Sequence, residues 1–170
     1  DDVMKQADLA MYRAKSSGRN AVRFFDPTME AAIQARTLLE HDLRCAIEAQ
    51  QFLLHYQPQV NGAQRITGAE VLVRWLHPQR GMVPPAEFIP LAEETDLILP
   101  LGLWVLETAC RQLVRWAAKP HTAELTVAVN VSANQLQQAN FVEQVLGVIQ
   151  KTGANPQCLK LELTESLLVR

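Results

Sequence analysis

The sequence has few cysteines, few aromatic residues and no long apolar run. Its three cysteines are widely spaced, odd in number and without a Cys-x-x-Cys pair, so neither a disulfide framework nor a zinc site is favoured. The sequence has no run of about 18 apolar residues, which a membrane span would need. Its first residues are acidic, unlike those of a signal peptide. We therefore expect a reducing, cytoplasmic setting; an anchor further upstream in a longer parent stays open.

Neither sign of charge is in large excess over the other. Sixteen Lys and Arg against eighteen Asp and Glu give a formal net charge of -2, which favours neither a nucleic-acid-binding face nor membrane contact through a polybasic patch.

Apolar residues are abundant, at 48% of 170 residues, which is enough for the core of a globular domain. Periodicity predicts strands alternating with helices, and such alternation favours an α/β fold with a parallel sheet or barrel. The predicted strands span 21–25, 52–60, 68–75, 125–132 and 159–166. The predicted helices span 7–15, 28–50, 86–95, 100–118 and 140–152, and Glu93 and Glu94 are expected to be a solvated helix end.

The strand over 68–75 has an unusual face. Alternation places Glu70, Leu72 and Arg74 on one side, opposite an apolar side formed by Val71, Val73 and Trp75. Two opposite charges on a half-buried face are costly unless each has a partner. A bound metal and a phosphate would supply partners; the alternative is a solvent-facing Glu–Arg arrangement on a sheet surface.

Two later strands repeat the pattern. Asn130 and Glu162 each lie on the polar face of a strand whose other face is apolar, near the end of that strand. Carboxylate and amide oxygens suit hard divalent cations such as Mg²⁺ or Mn²⁺ rather than zinc. Glu70, Asn130 and Glu162 are therefore candidate metal ligands.

Five motifs over residues 38–170 resemble the EAL domain family in order and spacing. They are Tyr56-Gln57-Pro58-Gln59, Glu70-Val71-Leu72-Val73-Arg74-Trp75, Pro85-Ala86-Glu87-Phe88-Ile89-Pro90-Leu91-Ala92-Glu93-Glu94-Thr95, Val129-Asn130-Val131-Ser132-Ala133 and Glu162-Leu163-Thr164-Glu165-Ser166. The name motif reads Glu-Val-Leu here instead of Glu-Ala-Leu, a mild departure.

This resemblance implies a (β/α)8 TIM-type barrel with its site at the carboxyl ends of the strands. It implies hydrolysis of cyclic di-GMP to linear pGpG with two Mg²⁺ or Mn²⁺ ions. The metal ligands would be Glu70, Asn130 and Glu162. Substrate would contact Gln57, Leu72 and Arg74, although Gln57 is equally well a polar residue that satisfies local backbone groups. Glu165 would support an active-site loop.

Residues 1–26 resemble the C-terminal tail of a GGDEF domain, a helix and a strand, carried by Ala7, Asp8, Ala10, Tyr12, Ala14, Lys15, Gly18, Arg19 and Asn20. The signature loop of that family is absent from the sequence, so no cyclase activity is carried over; the alternative is a generic capping helix. Asp26-Pro27 predicts a helix start. The expected division is a GGDEF remnant at 1–26, a linker helix at 27–50 and the first part of an EAL domain at 51–170, within a parent that has an upstream sensor or GGDEF domain.

The EAL family's later motifs are not in this sequence: the paired aspartates, the general-base lysine and a final metal-binding glutamate. The resemblance thus implies a truncated phosphodiesterase segment, inactive by itself. The alternative is a non-catalytic cyclic di-GMP receptor or an interaction module. Because the leucine face of Leu159, Leu161 and Leu163 would lack its covering helices, we expect the chain alone to aggregate or to pair as a homodimer.

Overall fold

The computed structural model describes residues 2–16, 22 and 26–163. The chain divides into two units, Asp1–Asp42 and Leu43–Arg170. Apart from residue 22, the predicted strand over 21–25 lies outside the described residues. The three-part division predicted from the sequence stays a prediction.

Helix α1 spans Asp2–Ser16 and helix α2 spans Pro27–Glu48. The predicted start of α2 is confirmed, because Asp26 Oδ1 accepts a hydrogen bond from the backbone N–H of Thr28 at 2.9 Å. This bond satisfies one of the backbone donors that a helix leaves unpaired at its N-terminus.

The described residues of the second unit form a five-stranded sheet. Its strands are β1 at Phe52–Val60, β2 at Ile66–His77, β3 at Gly81–Val83, β4 at Thr126–Val131 and β5 at Leu159–Leu163. The order is β1-β2-β4-β5, with β3 paired to β2 off this path. Strands β2, β4 and β5 are parallel, whereas β1 and β3 run antiparallel to β2. The expected α/β fold with parallel strands is thus confirmed; its closure into a barrel stays a prediction.

Strand β2 is longer than its periodicity predicts, because it has antiparallel neighbours beyond its parallel partner. Pairing with β4 ends at Val71, while β1 continues along β2 to Trp75 and β3 pairs with residues 75–77. Strand β3 was missed by the sequence analysis. It begins at Gly81, directly after a turn at residues 78–80, and Gly81 has a φ of 72°, a value that favours glycine.

Pro58 lies within β1. Among the described strands, β1 is an edge strand that pairs with β2 alone. An edge position tolerates the missing N–H of proline. The register of β1 against β2 shifts between Gln59 and Val60, so the strand is irregular close to Pro58.

Helix α3 spans Pro85–Glu94, α4 spans Ile98–Ala117, α5 spans Ala133–Leu136 and α6 spans Phe141–Thr152, followed by a 3-10 turn at Pro156–Cys158. Leu101, Val105, Leu106, Cys110 and Leu113 recur at helical spacing along α4 and are buried. Gly153 ends α6 in the left-handed conformation, as expected of a C-terminal glycine.

An aromatic cluster fixes β1 against β2 and α3. Phe52 lies 5.9 Å from Trp75 and 5.9 Å from Phe88, between ring centroids. Trp75 is fully buried, and its indole N–H donates to Gln51 Oε1 at 3.2 Å. These contacts pack the strand that carries Glu70 and Arg74 against β1 and α3.

The leucine face of β5 is poorly covered, with Leu161 39% and Leu163 56% exposed. Aggregation of the chain or its pairing as a homodimer stays a prediction. Among the described residues, no helix combines the length and apolarity needed to cross a membrane.

Candidate functional site

A direct hydrogen bond joins two of the candidate ligands. Asn130 Nδ2 donates to Glu70 Oε1 at 2.8 Å, from β4 to β2. A carboxylate only accepts hydrogen bonds, so the amide nitrogen must face it. This orientation leaves Asn130 Oδ1 and the second carboxylate oxygen of Glu70 as acceptors for another group.

The other polar candidates lie beside this pair on the neighbouring strands, so that the four side chains form a polar row across the sheet. Gln57 of β1 stands opposite Glu70, and Asn130 of β4 stands opposite Glu162 of β5. Adjacent strands are about 4.8 Å apart. Gln57, Glu70, Asn130 and Glu162 therefore lie on four neighbouring strands, β1, β2, β4 and β5.

The predicted position of Glu70 near a strand end needs correction. Glu70 lies in the middle of β2, because β2 runs on to His77 against β1 and β3. It does lie one residue before the end of the parallel pairing with β4, at Val71. The edge that matters for the site is where the parallel strands separate.

A cleft of about 290 Å³ opens beside this point, between β2, β4, α3, α4 and α5. Its lining includes Leu72, Arg74, Glu93, Asn130, Ser132 and Gln135 together with apolar residues of α3 and α4. The structure thus brings Leu72, Arg74 and Asn130 to one cleft. Gln57, Glu70 and Glu162 are not among its lining residues.

Arg74 is partly buried in the cleft wall. Its Nη1 donates to the backbone carbonyl of Val73 at 2.9 Å. A guanidinium has five N–H donors. Arg74 therefore keeps donors that can contact an anion in the cleft.

The sequence analysis missed three polar residues of the cleft: Glu93, Ser132 and Gln135. Glu94 is exposed, as expected of a solvated helix end, but Glu93 is only partly exposed and lines the cleft. Ser132 and Gln135 are buried and form a capping box at the start of α5. The spacing Ser-x-x-Gln, which is typical of such a box, was the available signal.

The donor chemistry of the row fits a hard divalent cation, because its members offer carboxylate and amide oxygens. Within the described residues, no group of three or more His, Cys, Asp or Glu side chains is placed to hold a metal ion. The row contributes two carboxylates, from Glu70 and Glu162, and two amides, from Gln57 and Asn130. Glu165, predicted to support a loop, lies outside the described residues.

The histidines give no rival site among the described residues. His77, the buried last residue of β2, accepts hydrogen bonds at Nδ1 from the backbone N–H groups of Gln79 and Arg80, each at 3.1 Å. This is the role of a residue that stabilises a turn.

Three groups with shifted pKa values lie outside the cleft lining. Burial raises the pKa of Tyr56 and that of the Cys110 thiol. A hydrogen bond from Lys151 lowers the pKa of Glu107 on α4. These shifts follow from packing and ion pairing between elements, not from the chemistry of the cleft.

Oxygen-bearing side chains beside an apolar cleft, where parallel strands separate, are typical of ligand-binding sites in α/β proteins. A family model described as the EAL domain matches residues 40–170. The chain belongs to the EAL domain family.

Curated relatives span the chain almost entirely. It is 45% identical over 172 residues to the bifunctional diguanylate cyclase/cyclic di-GMP phosphodiesterase MucR of Pseudomonas aeruginosa, covering 99% of this chain and 25% of MucR. It is 39% identical over 167 residues to the cyclic di-GMP phosphodiesterase PdeR of Escherichia coli, covering 98% of this chain and 25% of PdeR. The chain thus spans about a quarter of the length of these relatives.

Solved structures agree with the fold. A cyclic di-GMP complex of the PaMucR phosphodiesterase superposes with a TM-score of 0.74 at 45% identity, over 78% of this chain and 54% of that one. The FimX EAL domain of Xanthomonas citri, in complex with c-diGMP, gives 0.68 at 26% identity, over 81% of this chain and 53% of that one.

Proposed function

We propose that this chain is part of a cyclic di-GMP phosphodiesterase, a longer protein called the parent protein below. The observation that carries the proposal is the Glu70–Asn130 hydrogen bond, in register with Glu162, beside a cleft that contains Arg74. The names of similar proteins, MucR and PdeR among them, support hydrolysis of this nucleotide. Water would cleave one phosphodiester bond of the ring and give the linear dinucleotide pGpG.

Glu70, Asn130 and Glu162 would hold Mg²⁺ or Mn²⁺ in the parent protein. Such ions, when bound, stabilise charge on phosphoryl oxygens and make water a better nucleophile. The contribution of this chain is to place the oxygens. The bond from Asn130 Nδ2 aims the carboxylate of Glu70 and turns Asn130 Oδ1 away from it, so both residues have an oxygen available.

The nucleotide would lie along the cleft. Arg74 would contact a phosphate oxygen, since a planar guanidinium offers two-point contact with an oxyanion. Leu72, on the same cleft wall, would pack against a base. Gln57, opposite Glu70, would donate or accept a hydrogen bond at the end of the row.

The wider architecture follows from the same assignment. The sheet would continue into a (β/α)8 barrel in the parent protein, with Glu165 supporting a loop of its site. Residues 1–26 would be the tail of a GGDEF domain. Support for this comes from the match to MucR, a bifunctional cyclase and phosphodiesterase, which covers 99% of this chain, whereas the EAL model begins at residue 40.

The test is hydrolysis of cyclic di-GMP by the parent protein with Mg²⁺ or Mn²⁺, with pGpG measured by chromatography. We expect turnover in the wild type and its loss in Glu70→Ala. Glu124→Ala is the matched control, because Glu124 is an exposed glutamate in a turn before β4. Nucleotide binding without any pGpG from the wild type would contradict the proposal and identify a receptor instead.

A further inference from the structure

The short helix α5 directly follows the strand that ends with Asn130 and Val131, and its contacts are unusually specific. Gln135 is buried, with 9% of its surface exposed. Its Oε1 accepts hydrogen bonds from the backbone N–H of Ser132 at 3.1 Å and from Ser132 Oγ at 3.2 Å. These bonds fix the backbone two residues after Asn130.

Because the Ser132 N–H can only donate, the oxygen of the Gln135 amide must face Ser132. The amide nitrogen therefore points away from Ser132, toward α4. There it meets Gly102: a Cβ built on Gly102 would lie 2.0 Å from Gln135 Nε2 and 2.6 Å from Cδ. The side chain of Gln135 occupies the space that any other residue at position 102 would fill.

A second bond fastens the same helix to α3. Asn134 Nδ2 donates to the backbone carbonyl of Glu93 at 2.7 Å. The turn after Asn130 is thus held by α4 through Gln135 and by α3 through Asn134. Asn130 itself is exposed, and its side chain has one described hydrogen bond, to Glu70.

We propose that Gln135, whose side chain packs against Gly102, is a positioning residue that orients the Asn130 amide toward Glu70. The inference deepens the proposed function, on which it rests, by naming what orients one ligand of the cation site. Gln135 acts through the backbone at Ser132, and Gly102 acts by leaving room for Gln135. Residues that orient ligands without touching a metal commonly change metal affinity or activity 10–100-fold.

Gly102→Ala separates this role from a purely structural one. Alanine is the better helix former by about 1 kcal/mol, and the atoms that it would displace are the end of a flexible side chain. The variant should therefore fold, while the side chain of Gln135 is displaced from its position beside residue 102. Gly147→Ala is the matched control, since Gly147 lies in α6 with nothing within 4 Å of its added Cβ.

In the parent protein, we expect Gly102→Ala and Gln135→Ala each to lower kcat for cyclic di-GMP about tenfold. The KM for the nucleotide should change little, the Mn²⁺ concentration needed for half-maximal rate should rise, and the melting temperature should stay close to the wild type. Gly147→Ala should match the wild type throughout. The double variant should be no worse than Gln135→Ala, because both changes act through one contact.

A readout independent of turnover keeps the two proposals apart. In protein labelled with ¹⁵N in asparagine side chains, Asn130→Asp identifies the Asn130 amide resonance. We expect Gly102→Ala to move that resonance and Gly147→Ala to leave it unchanged. If the wild type makes no pGpG and the resonance moves, the positioning role stands and the proposed function fails.

The inference is overturned if the Asn130 resonance is the same in Gly102→Ala and the wild type. It is overturned equally if Gly102→Ala hydrolyses cyclic di-GMP with wild-type kcat and metal dependence, or if the two single effects multiply in the double variant.

Discussion

Gly68 of β2 lies so close to Thr126 of β4 that a Cβ on Gly68 would be 2.3 Å from the Thr126 hydroxyl oxygen and 2.4 Å from its carbonyl oxygen. The two residues are partners in the parallel register that also sets Glu70 opposite Ala128. The close approach of these strands therefore determines where Glu70 and Asn130 meet.

Gly68→Ala should destabilise the parent protein by about 1–3 kcal/mol, because overpacking forces the backbone to shift. Thermal unfolding would measure this as a lowered melting temperature. Adding Thr126→Ala should not restore stability, since the backbone oxygen obstructs the new methyl group as well. Gly62→Ala is the control, because a Cβ added at Gly62 has nothing within 4 Å. Equal melting temperatures for Gly68→Ala and Gly62→Ala would contradict the account.

The three cysteines should differ in reactivity toward iodoacetamide at pH 8. Burial raises the pKa of the Cys110 thiol above its ordinary value of 9.0, so little of the reactive thiolate forms there. Cys45 is exposed and Cys158 is intermediate. Peptide mass spectrometry should find alkylation in the order Cys45, Cys158, Cys110, and all three should react alike in urea. Fast alkylation of Cys110 in the folded protein would refute its burial.

Glu107 should make stability depend on pH on the acid side. Lys151 donates to its carboxylate at 3.0 Å and Arg111 also pairs with it, and the hydrogen bond from Lys151 is the main cause of its lowered pKa. A group whose pKa is lowered by folding stabilises the fold above its unfolded pKa, here the ordinary 4.5, and loses that effect as the pH falls through the folded pKa.

The comparison is Glu107→Gln against wild type, by denaturant unfolding between pH 7 and pH 3. At pH 7 the variant should be less stable by up to about 1 kcal/mol, a small effect because both cations are largely exposed. The difference should shrink below pH 4.5 and disappear once Glu107 is protonated in the folded protein. A difference that stays constant down to pH 3 would rule out the ion pair as its cause.

Much of the fold could be predicted because local patterns determine it. Alternation along β4 places Val127, Val129 and Val131 in the core, and a period of two residues puts Asn130, which is exposed, on the opposite face. Asp26 before Pro27 predicts the start of α2 for an equally local reason. Such signals need no knowledge of the partner element.

The features that were missed depend on contacts between distant residues. The extension of β2 to His77 requires β3, whose three residues carry no alternating pattern of useful length. The Ser132–Gln135 capping box can be predicted from neighbouring residues. The packing of Gln135 against Gly102 cannot, because those two residues are far apart in the sequence. The partial burial of Glu93 likewise depends on the docking of α5 beside it.

The central claim is that Glu70 and Asn130 present oxygens to a divalent cation, and Mn²⁺ binding to the parent protein tests it most directly. Glu70→Gln keeps the shape of the side chain and an oxygen that can accept from Asn130 Nδ2, but it removes the charge. Electron paramagnetic resonance titration should show that the affinity of a Mn²⁺ site falls at least tenfold in this variant and is unchanged in Glu124→Gln. Equal Mn²⁺ stoichiometry and affinity in Glu70→Gln and the wild type would contradict the claim.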